Sequence, residues 1–496
     1  MTHLSFFSFW AIHFIYFCRI MRKCLTILLC LCLTNQLFAQ DKWDLRKCVE
    51  YALKNNISVR QADLQARFAE LDFKQSKLAL YPNANASASV GYGSGRNQDP
   101  TSFSLITQGY WNSNYALQAS VDLFNWFSKR NNIAAKGYTY QASSAGADKA
   151  RNDVALNVAV AYLQVLLSRE QLNIAVVQIT QTRSQLESTR KQVDAGRLPE
   201  LNYVQLESQL ATDSSNRITA ETTVQQNLLQ MKALLNLDAA TPFDVDTPPV
   251  DQIPIESLGE LQPEDVYNLA IKNMPQQKVD ELNLKSAMKS VDVARANRLP
   301  TLSMFGSLGT GFNSRQPQVV SVTQVAAPTI GKVNVGGTDY QVFANDPYFI
   351  YGSGYTPYFR QIDQNFRQSI GLNLSIPILN GGNLRTAWQR SKLTVQQTQL
   401  TKEQNSRTLK QDIYKAYNDA TAAIQKFNAN TKAVEAAQKG YDFARKRYDL
   451  GLLSIYELIT SQSNLLQSKV QLVYSQYDFV FKMKLLEFYR GQGLKL

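Results

Sequence analysis

The stretch RKRYDLGLLSIYEL, residues 445–458, has a counterpart earlier in the chain, RKQVDAGRLPELNY at residues 190–203. In both stretches a basic pair is followed by an aspartate, a glycine and a leucine at the same spacing, and the two begin 255 residues apart. Glycine takes the left-handed conformation that ends a helix at little cost, so we expect Gly196 and Gly451 to end two long helices. Three residues further on, a proline or a serine suits the start of the next helix. The repeated stretch therefore predicts two helical hairpin tips.

The duplication extends over most of the chain. YALKNN (51–56) matches LAIKNM (269–274) at an offset of 218, and SVGYG (89–93) matches SLGTG (307–311) at the same offset. Beyond these matches the offset is 255, so the second half carries an insertion of 37 residues. We expect the insertion between Phe312 and Phe366, a stretch that is rich in Gly, Pro and aromatic residues and has no helical period.

The N-terminus has the composition of an export signal. A basic pair precedes an apolar run from Leu25 to Leu33, and Ala39 lies before a plausible cleavage site. We expect residues 1–39 to be a signal peptide, in which residues 1–20 are an extension ahead of the true start at Met21. A signal anchor is the alternative, although either N-terminal apolar run alone is shorter than the roughly 20 residues that a spanning helix needs.

The expected domain organisation follows from the signal and the duplication. It comprises the signal peptide with its extension (1–39), a first repeat (40–240), a Pro-rich linker (241–262), a second repeat (263–491) and a C-terminal tail (492–496).

Composition excludes most catalytic chemistry. Both histidines and four of the five cysteines lie within residues 1–39, which leaves Cys48 alone in the expected mature chain. A Ser-His or Cys-His nucleophile pair and a zinc site of His and Cys are therefore excluded, and we expect no enzyme activity and no cofactor. The formal net charge is +12, but the basic residues are scattered along helical faces, so we expect no nucleic-acid partner.

Period-two alternation of apolar residues marks four strands. They are NANASASVGY (83–92), SNYALQASVDLF (113–124), the stretch from Leu302 to Phe312 and the stretch from Ile370 to Ile378. The pattern is typical of transmembrane β-barrel strands and equally of a soluble, half-buried sheet. The export signal, and the lack of a long apolar helix after it, favour the barrel. Four strands are too few to close one, and open edges in lipid are costly, so the barrel must be shared between subunits.

The long helices carry a seven-residue repeat. No proline interrupts the chain from Ser128 to Gly196, which predicts a helix of roughly 100 Å. Its large seam positions are Val158, Val165, Leu172, Ile179, Leu186 and Val193, and small residues such as Ala161, Ser168, Thr182 and Thr189 follow three positions later. The second copy repeats this pattern with Ile413, Ala420, Phe427, Val434, Tyr441 and Tyr448. A sustained heptad predicts coiled-coil packing with close helix approach.

With these features the sequence resembles the TolC-like outer-membrane efflux protein family over nearly the whole mature chain. The resemblance rests on the duplicated plan, on LxxSVDLFNWFxKR (117–130) and LNLSIPILNGGNLR (372–385) where strands pass into helices, and on the tip motifs. It implies a mainly α protein with a membrane β-barrel, built from a duplicated helix-strand-strand-helix-helix unit. It further implies a homotrimer with an α-helical tunnel and a shared twelve-stranded barrel, four strands per chain.

The resemblance also implies a function. The protein would be the outer-membrane channel of a tripartite efflux or type I secretion system, a passive duct that extends from outer-membrane lipid into the periplasm. Its partners would be a periplasmic adaptor (membrane fusion) protein and an inner-membrane pump of RND, ABC or MFS type. A duct takes its specificity from its pump, so drugs, metal ions, peptides and proteins all remain open as cargo.

Site residues follow from the resemblance position by position. Glu457 falls on the acidic ring of the periplasmic aperture, and Thr460 stands where some members have a second acid. Tyr448 matches a tyrosine that latches the closed tip, while its expected partners appear here as Asn202 and Leu453. The expected adaptor-docking tips are Gly196, Arg197, Leu198, Gly451, Leu452, Leu453 and Ser454. For each of these residues, ordinary coiled-coil packing or helix capping is the competing interpretation.

Two other functions are compatible with parts of the pattern. One is a coiled-coil periplasmic adaptor or structural envelope protein without a barrel, and the other is a soluble secreted binding protein. An adaptor normally places compact β-domains beside one hairpin, whereas this chain duplicates strands and hairpin together.

Overall fold

The structure is a computed structural model that describes residues 42–98, 104–248, 253, 256–323, 329–343 and 348–491. The expected signal peptide and C-terminal tail lie outside the described residues. The chain divides into two compact units. One unit comprises residues 68–140 and 282–399 and contains the strands, and the other contains the described residues of 1–67, 141–281 and 400–496.

Nine α-helices and eight strands are defined in the described residues. The helices are α1 (Leu45–Asn55), α2 (Ile57–Leu78), α3 (Ser128–Asp194), α4 (Glu200–Leu235), α5 (Pro263–Asn273), α6 (Pro275–Ala296), α7 (Tyr358–Gln364), α8 (Asn383–Asp449) and α9 (Ile455–Tyr489). The strands are β1 (Asn83–Gln98), β2 (Leu105–Phe124), β3 (Thr301–Asn313), β4 (Pro317–Thr323), β5 (Thr329–Val335), β6 (Thr338–Phe343), β7 (Tyr348–Tyr355) and β8 (Arg367–Ser375).

Each repeat begins with two short helices rather than the single one expected from the sequence. In the first repeat, Asn56 takes an extended conformation, and its side chain accepts from the N–H of Ser58 (2.8 Å) and donates to the carbonyl oxygen of Leu234 (2.8 Å). In the second repeat the break falls at Met274, immediately before Pro275. Proline disfavours the helical conformation in the residue that precedes it, so two different local causes produce the same break.

The two long helices are confirmed, because α3 and α8 each contain 67 residues. Their heptad seams are buried as expected: Val158, Val165, Ile413 and Ala420 are among the least exposed side chains. The described part of the chain contains no helix that is both long and apolar enough to cross a membrane.

Three apolar clusters stabilise the helical unit. One gathers residues of the first repeat around Cys48, Val158 and Met231 together with Tyr477 and Val480 of the second repeat. A second gathers residues of the second repeat around Ala270, Ile413 and Leu486. The third draws on both repeats and lies at the hairpin tips. Two of the three clusters therefore join the repeats, and the other lies within the second repeat and the end of the linker before it.

Four long strands form one antiparallel sheet in the order β1-β2-β3-β8. The register aligns Ala86 with Leu117 and Leu117 with Leu308, so the apolar residues of neighbouring strands share one face. Much of this face is exposed: Val90 is 69%, Ile370 73% and Leu372 65% accessible. Asn, Ser and Gln side chains occupy the opposite face, which confirms the alternation predicted for the strands.

The last strand is shorter than the sequence predicts. Alternation continues through Ile376 and Ile378, but β8 ends at Ser375, so this part of the prediction was wrong. Pro377 has no N–H to donate to a neighbouring strand, which explains the early end of the ladder.

The insertion folds mainly as β-structure. Strand β4 pairs with β7, and β5 pairs with β6 across a turn in which Gly336 and Gly337 have positive φ. Helix α7 follows β7 and precedes β8. No helical period is visible in this stretch of the sequence, because a helix of seven residues is too short to show one.

Candidate functional site at the helical hairpin tips

The two tips have the same backbone geometry. Gly196 and Gly451 have φ of +70° and +73°. The N–H of Gly196 donates to the carbonyl oxygen of Val193 (2.8 Å), and that of Arg197 to Gln192 (2.9 Å). Gly451 and Leu452 make the corresponding bonds to Tyr448 and Arg447, both at 2.8 Å. This pair of bonds is the Schellman motif, which requires a left-handed residue at the glycine position.

The helices that follow the tips begin differently. Pro199 is the N-cap of α4 and makes no side-chain cap. Ser454 is the N-cap of α9 and forms a capping box with Glu457. The Glu457 carboxylate accepts from the backbone N–H of Ser454 (3.1 Å) and from its hydroxyl (2.8 Å), while the Ser454 oxygen accepts from the N–H of Glu457 (3.3 Å). The start of α9 therefore has a side-chain cap that the start of α4 lacks.

The capping box stabilises the ionised form of Glu457. The hydroxyl of Ser454, and then its backbone N–H, donate to the carboxylate and lower the pKa of Glu457 below its ordinary value. The group is fully exposed and stays ionised at neutral pH. Its role at the start of α9 is thus visible in the geometry, whereas its place in an aperture remains a prediction.

Thr460, the other residue expected at the aperture, bonds within its own helix. Its hydroxyl donates to the carbonyl oxygen of Tyr456, one turn earlier (2.8 Å). Such a bond satisfies the hydroxyl and leaves no negative charge at this position.

Tyr448, the expected latch residue, lies in the contact between the two hairpins. Its ring is buried in the shared cluster with Leu206, Ile455 and Leu458. Its hydroxyl oxygen lies 3.4 Å from the Thr189 hydroxyl on the first hairpin. Asn202, a partner position implied by the resemblance, donates its backbone N–H to the carbonyl oxygen of Pro199 (3.1 Å) at the start of α4, and its role as a latch partner stays a prediction. The tyrosine therefore links the hairpins through a residue that the resemblance did not indicate.

The expected docking residues differ in exposure. Arg197, Leu452 and Ser454 are exposed, as are both glycines. Leu198 and Leu453 are half-buried against the shared tip cluster. Three further large side chains near the tips, which the tip motif does not identify, are also exposed: Leu201, Leu450 and Tyr456. The tips thus present apolar side chains to solvent around two rigid turns.

A buried polar network joins the hairpins on the helix side of the tips. Asp213, 2% exposed, accepts from the Thr182 hydroxyl (2.6 Å) and from the Gln209 amide (2.8 Å). Gln462 of the second repeat donates its amide to the Thr182 oxygen (3.2 Å). The heptad pattern identifies Thr182 only as a small seam residue. A run of polar residues at buried seam positions is the signal that could have revealed this network.

A duplicated hairpin and strand plan with these tips defines the class of TolC-like channels. The family model "Outer membrane efflux protein" matches residues 48–237 and 266–481, which is most of the chain. The chain therefore belongs to the outer membrane efflux protein family, and the family resemblance seen in the sequence is confirmed. Proteins of this family are channels rather than enzymes.

Solved structures show the same fold. CusC, whose structures concern transmembrane channel formation, superposes with a TM-score of 0.72 at 18% identity, covering 92% of this chain and 96% of that chain. The outer membrane protein VceC of Vibrio cholerae gives 0.68 at 16%, covering 90% and 96%. The outer membrane channel CmeC of Campylobacter jejuni gives 0.69 at 17%, covering 91% and 87%. No curated protein sequence matches the chain.

Proposed function

We propose that this protein is the outer-membrane channel of a tripartite efflux or type I secretion system. Three copies form one channel, a passive duct from the periplasm to the exterior. A periplasmic adaptor docks on the hairpin tips, and an inner-membrane pump supplies the cargo. The domain boundaries given by the duplication, with a cleaved signal before the first repeat, belong to this proposal.

The observation that carries the proposal is a sheet that is incomplete in one chain. Strands β1 and β8 are the two edges of the four-stranded sheet, and one face of that sheet is apolar and largely exposed. A barrel needs about eight strands or more, and unpaired backbone groups in hydrocarbon cost several kcal/mol each. Pairing β8 of one copy with β1 of the next satisfies both edges, and three copies supply twelve strands.

The hairpin tips support adaptor docking. They combine two rigid glycine turns with exposed apolar side chains, Leu450, Leu452 and Tyr456 among them. Exposed apolar groups around a fixed backbone are typical of protein contact surfaces. In a trimer the tips of three copies would converge, and one Glu457 per copy would give a ring of three carboxylates.

Fractionation after export tests the proposal. We expect the mature protein in outer membranes, resistant to a carbonate wash, and we expect its deletion to sensitise the cell to at least one exported compound. A protein that the wash releases would instead be a peripheral envelope component or an adaptor, and the channel proposal would fail.

A further inference from the structure

Helix α7 occupies the position where strand β8 would continue. The pairing of β3 with β8 ends at Gly309 and Arg367, but β3 itself runs on to Asn313. The next backbone groups of β3 on this edge, at Gly311 and Asn313, are bonded by side chains of α7 and of the residue after it.

Two side-chain amides replace the missing strand. Gln361 is fully buried; its amide donates to the carbonyl oxygens of Asn313 (2.9 Å) and Thr356 (2.7 Å), and its oxygen accepts from the N–H of Asn313 (2.8 Å). Asn365 donates to the carbonyl oxygen of Gly311 (2.7 Å). On this edge, the backbone groups at the end of β3 thus have hydrogen-bond partners without a neighbouring strand.

Further bonds fix the helix against the apolar face of the sheet. The Thr310 hydroxyl donates to the carbonyl oxygen of Ile362 (2.6 Å), and the Tyr358 hydroxyl donates to that of Tyr115 (2.8 Å). The ring of Tyr358 lies 4.9 Å from that of Phe312. Helix α7 is therefore held in one position despite its seven residues.

The outer side of this rigid helix is apolar at its most exposed point. Phe359 is 83% accessible, and Phe366, just before β8, is more than half exposed. The ring of Phe359 contacts that of Tyr358 edge-on (5.3 Å between centroids), but the single chain leaves most of it uncovered. An exposed aromatic side chain on an element held in one position is well suited to a contact with another subunit.

The lengths of the edge strands indicate which surface this is. Strand β1 has 16 residues and β8 has nine. If β1 of a neighbouring copy pairs antiparallel with β8, at least seven of its residues have no partner in β8. Residues toward the Gln98 end of β1 run past Arg367, where α7 lies in line with β8.

We propose that α7 is a subunit-contact element, and that Phe359 packs against the Gln98 end of β1 in a second copy of this chain. The inference rests on the proposed shared barrel and extends it: β8 supplies backbone pairing, and α7 supplies side-chain packing beyond the end of β8. The insertion in the second repeat thereby lengthens the contact between subunits.

Disulfide crosslinking in intact outer membranes tests this contact. Burial raises the pKa of Cys48 to about 12, so it stays protonated and unreactive while introduced cysteines are oxidised. Phe359→Cys is combined in turn with Ser94→Cys, Arg96→Cys and Gln98→Cys. A second set places Ser369→Cys on β8 with Ser87→Cys, Ser89→Cys, Gly91→Cys or Gly93→Cys, positions on the same polar face. Each single variant is the control.

We expect at least one pair in each set to give crosslinked dimers and trimers on a non-reducing gel, and we expect none from the single variants. Crosslinks in the Ser369 set alone would overturn the α7 contact while leaving the shared barrel intact. Crosslinks in neither set would contradict the shared barrel as well. Rapid labelling of Phe359→Cys by a lipid-soluble maleimide in the assembled protein would place lipid on α7 and would also overturn the inference.

Discussion

Trp126 and Gly381 occupy the same backbone position in the two repeats, with φ of 52° and 62°. The residues that follow, Phe127 and Gly382, have φ of 63° and 78°. Each pair forms a turn between the strands and a long helix. In the first repeat the N–H of Ser128 donates to the carbonyl oxygen of Asn125 (2.9 Å), and in the second the N–H of Asn383 donates to that of Asn380 (3.3 Å). Two consecutive positive φ values are easy for glycine and costly for aromatic residues, at about 1–2 kcal/mol each.

The first prediction follows from this difference between the repeats. Gly382→Ala should destabilise the protein by about 1 kcal/mol, because alanine is strained at positive φ. Phe127→Gly should be more stable than Phe127→Ala by a similar amount. Both variants lose the aromatic ring, but only glycine removes the strain of the positive φ at this position. Thermal unfolding in detergent measures both.

Gly440→Ala is the matched control, because Gly440 lies within α8 with open space around it. Alanine there should be neutral or stabilise the helix by roughly 0.5–1 kcal/mol. Equal effects at Gly382 and Gly440 would show that the turn stores no strain.

The second prediction concerns the tip glycine. An added Cβ at Gly451 meets no atom within 4 Å, so its φ of +73° is the only obstacle to substitution. Gly451→Val should abolish efflux with the protein still in the membrane, since a β-branched residue resists this conformation. Gly451→Asn, which tolerates it, should retain efflux, and Gly440→Val is the control. Equal efflux in the valine and asparagine variants of Gly451 would show that the turn geometry is not needed for docking.

The third prediction separates the charge of Glu457 from its capping role. Glu457→Gln keeps an N3 residue that completes a capping box but removes the carboxylate. If three copies of Glu457 line the aperture, this change should remove most of the cation selectivity of the pore and leave the oligomer intact. Reversal potentials in planar bilayers under a salt gradient measure it, and identical values for both proteins would exclude Glu457 from the aperture.

The same experiment has a pH dependence with a defined sign. The lowered pKa of Glu457 keeps the carboxylate ionised below the ordinary glutamate range, so selectivity should be present at neutral pH and disappear as the pH falls through that lowered pKa. Ser454→Ala removes the hydroxyl that is the main cause of the shift. In that variant the selectivity should disappear at a higher pH than in the wild type.

The fourth prediction addresses the buried network between the hairpins. Asp213→Ala would leave the Thr182 hydroxyl and the Gln209 amide without their acceptor in a buried site, at a cost of roughly 1–3 kcal/mol. Asp213→Asn keeps an acceptor oxygen and should cost less. The control is Asp194→Ala at the exposed tip, where the pair with Arg190 (3.1 Å) is worth about 0–1 kcal/mol. The thermal unfolding temperatures of the three variants measure their loss of stability. Equal losses of stability for Asp213→Ala and Asp194→Ala would contradict a stabilising role of the network.

The sequence predicts the elements that depend on local pattern. Heptads located α3 and α8, alternation located the four long strands, and the paired glycines located the tips. The predicted end of β8 is wrong because apolar alternation continues to Ile378, whereas the hydrogen-bonded ladder ends at Ser375, before Pro377. Contacts between distant segments could not be predicted from local pattern. Nothing near Tyr448 in the sequence indicates its contact with Thr189, and nothing near Asp213 indicates its hydrogen bond with Thr182, which lies 31 residues earlier on another helix. Helix α7 is fixed by hydrogen bonds between side-chain amides and the backbone of β3, and no local period in the sequence reveals such bonds.

In the proposed assembly one chain supplies a third of a closed barrel, and the mass of the purified mature protein in mild detergent tests this most directly. Light scattering with detergent subtraction, or native mass spectrometry, should give three copies per particle at concentrations where dissociation would be detected. The edges β1 and β8 then have partners. A stable monomer that retains its β-structure would contradict the shared barrel, because a four-stranded sheet with two open edges cannot persist in a bilayer on its own.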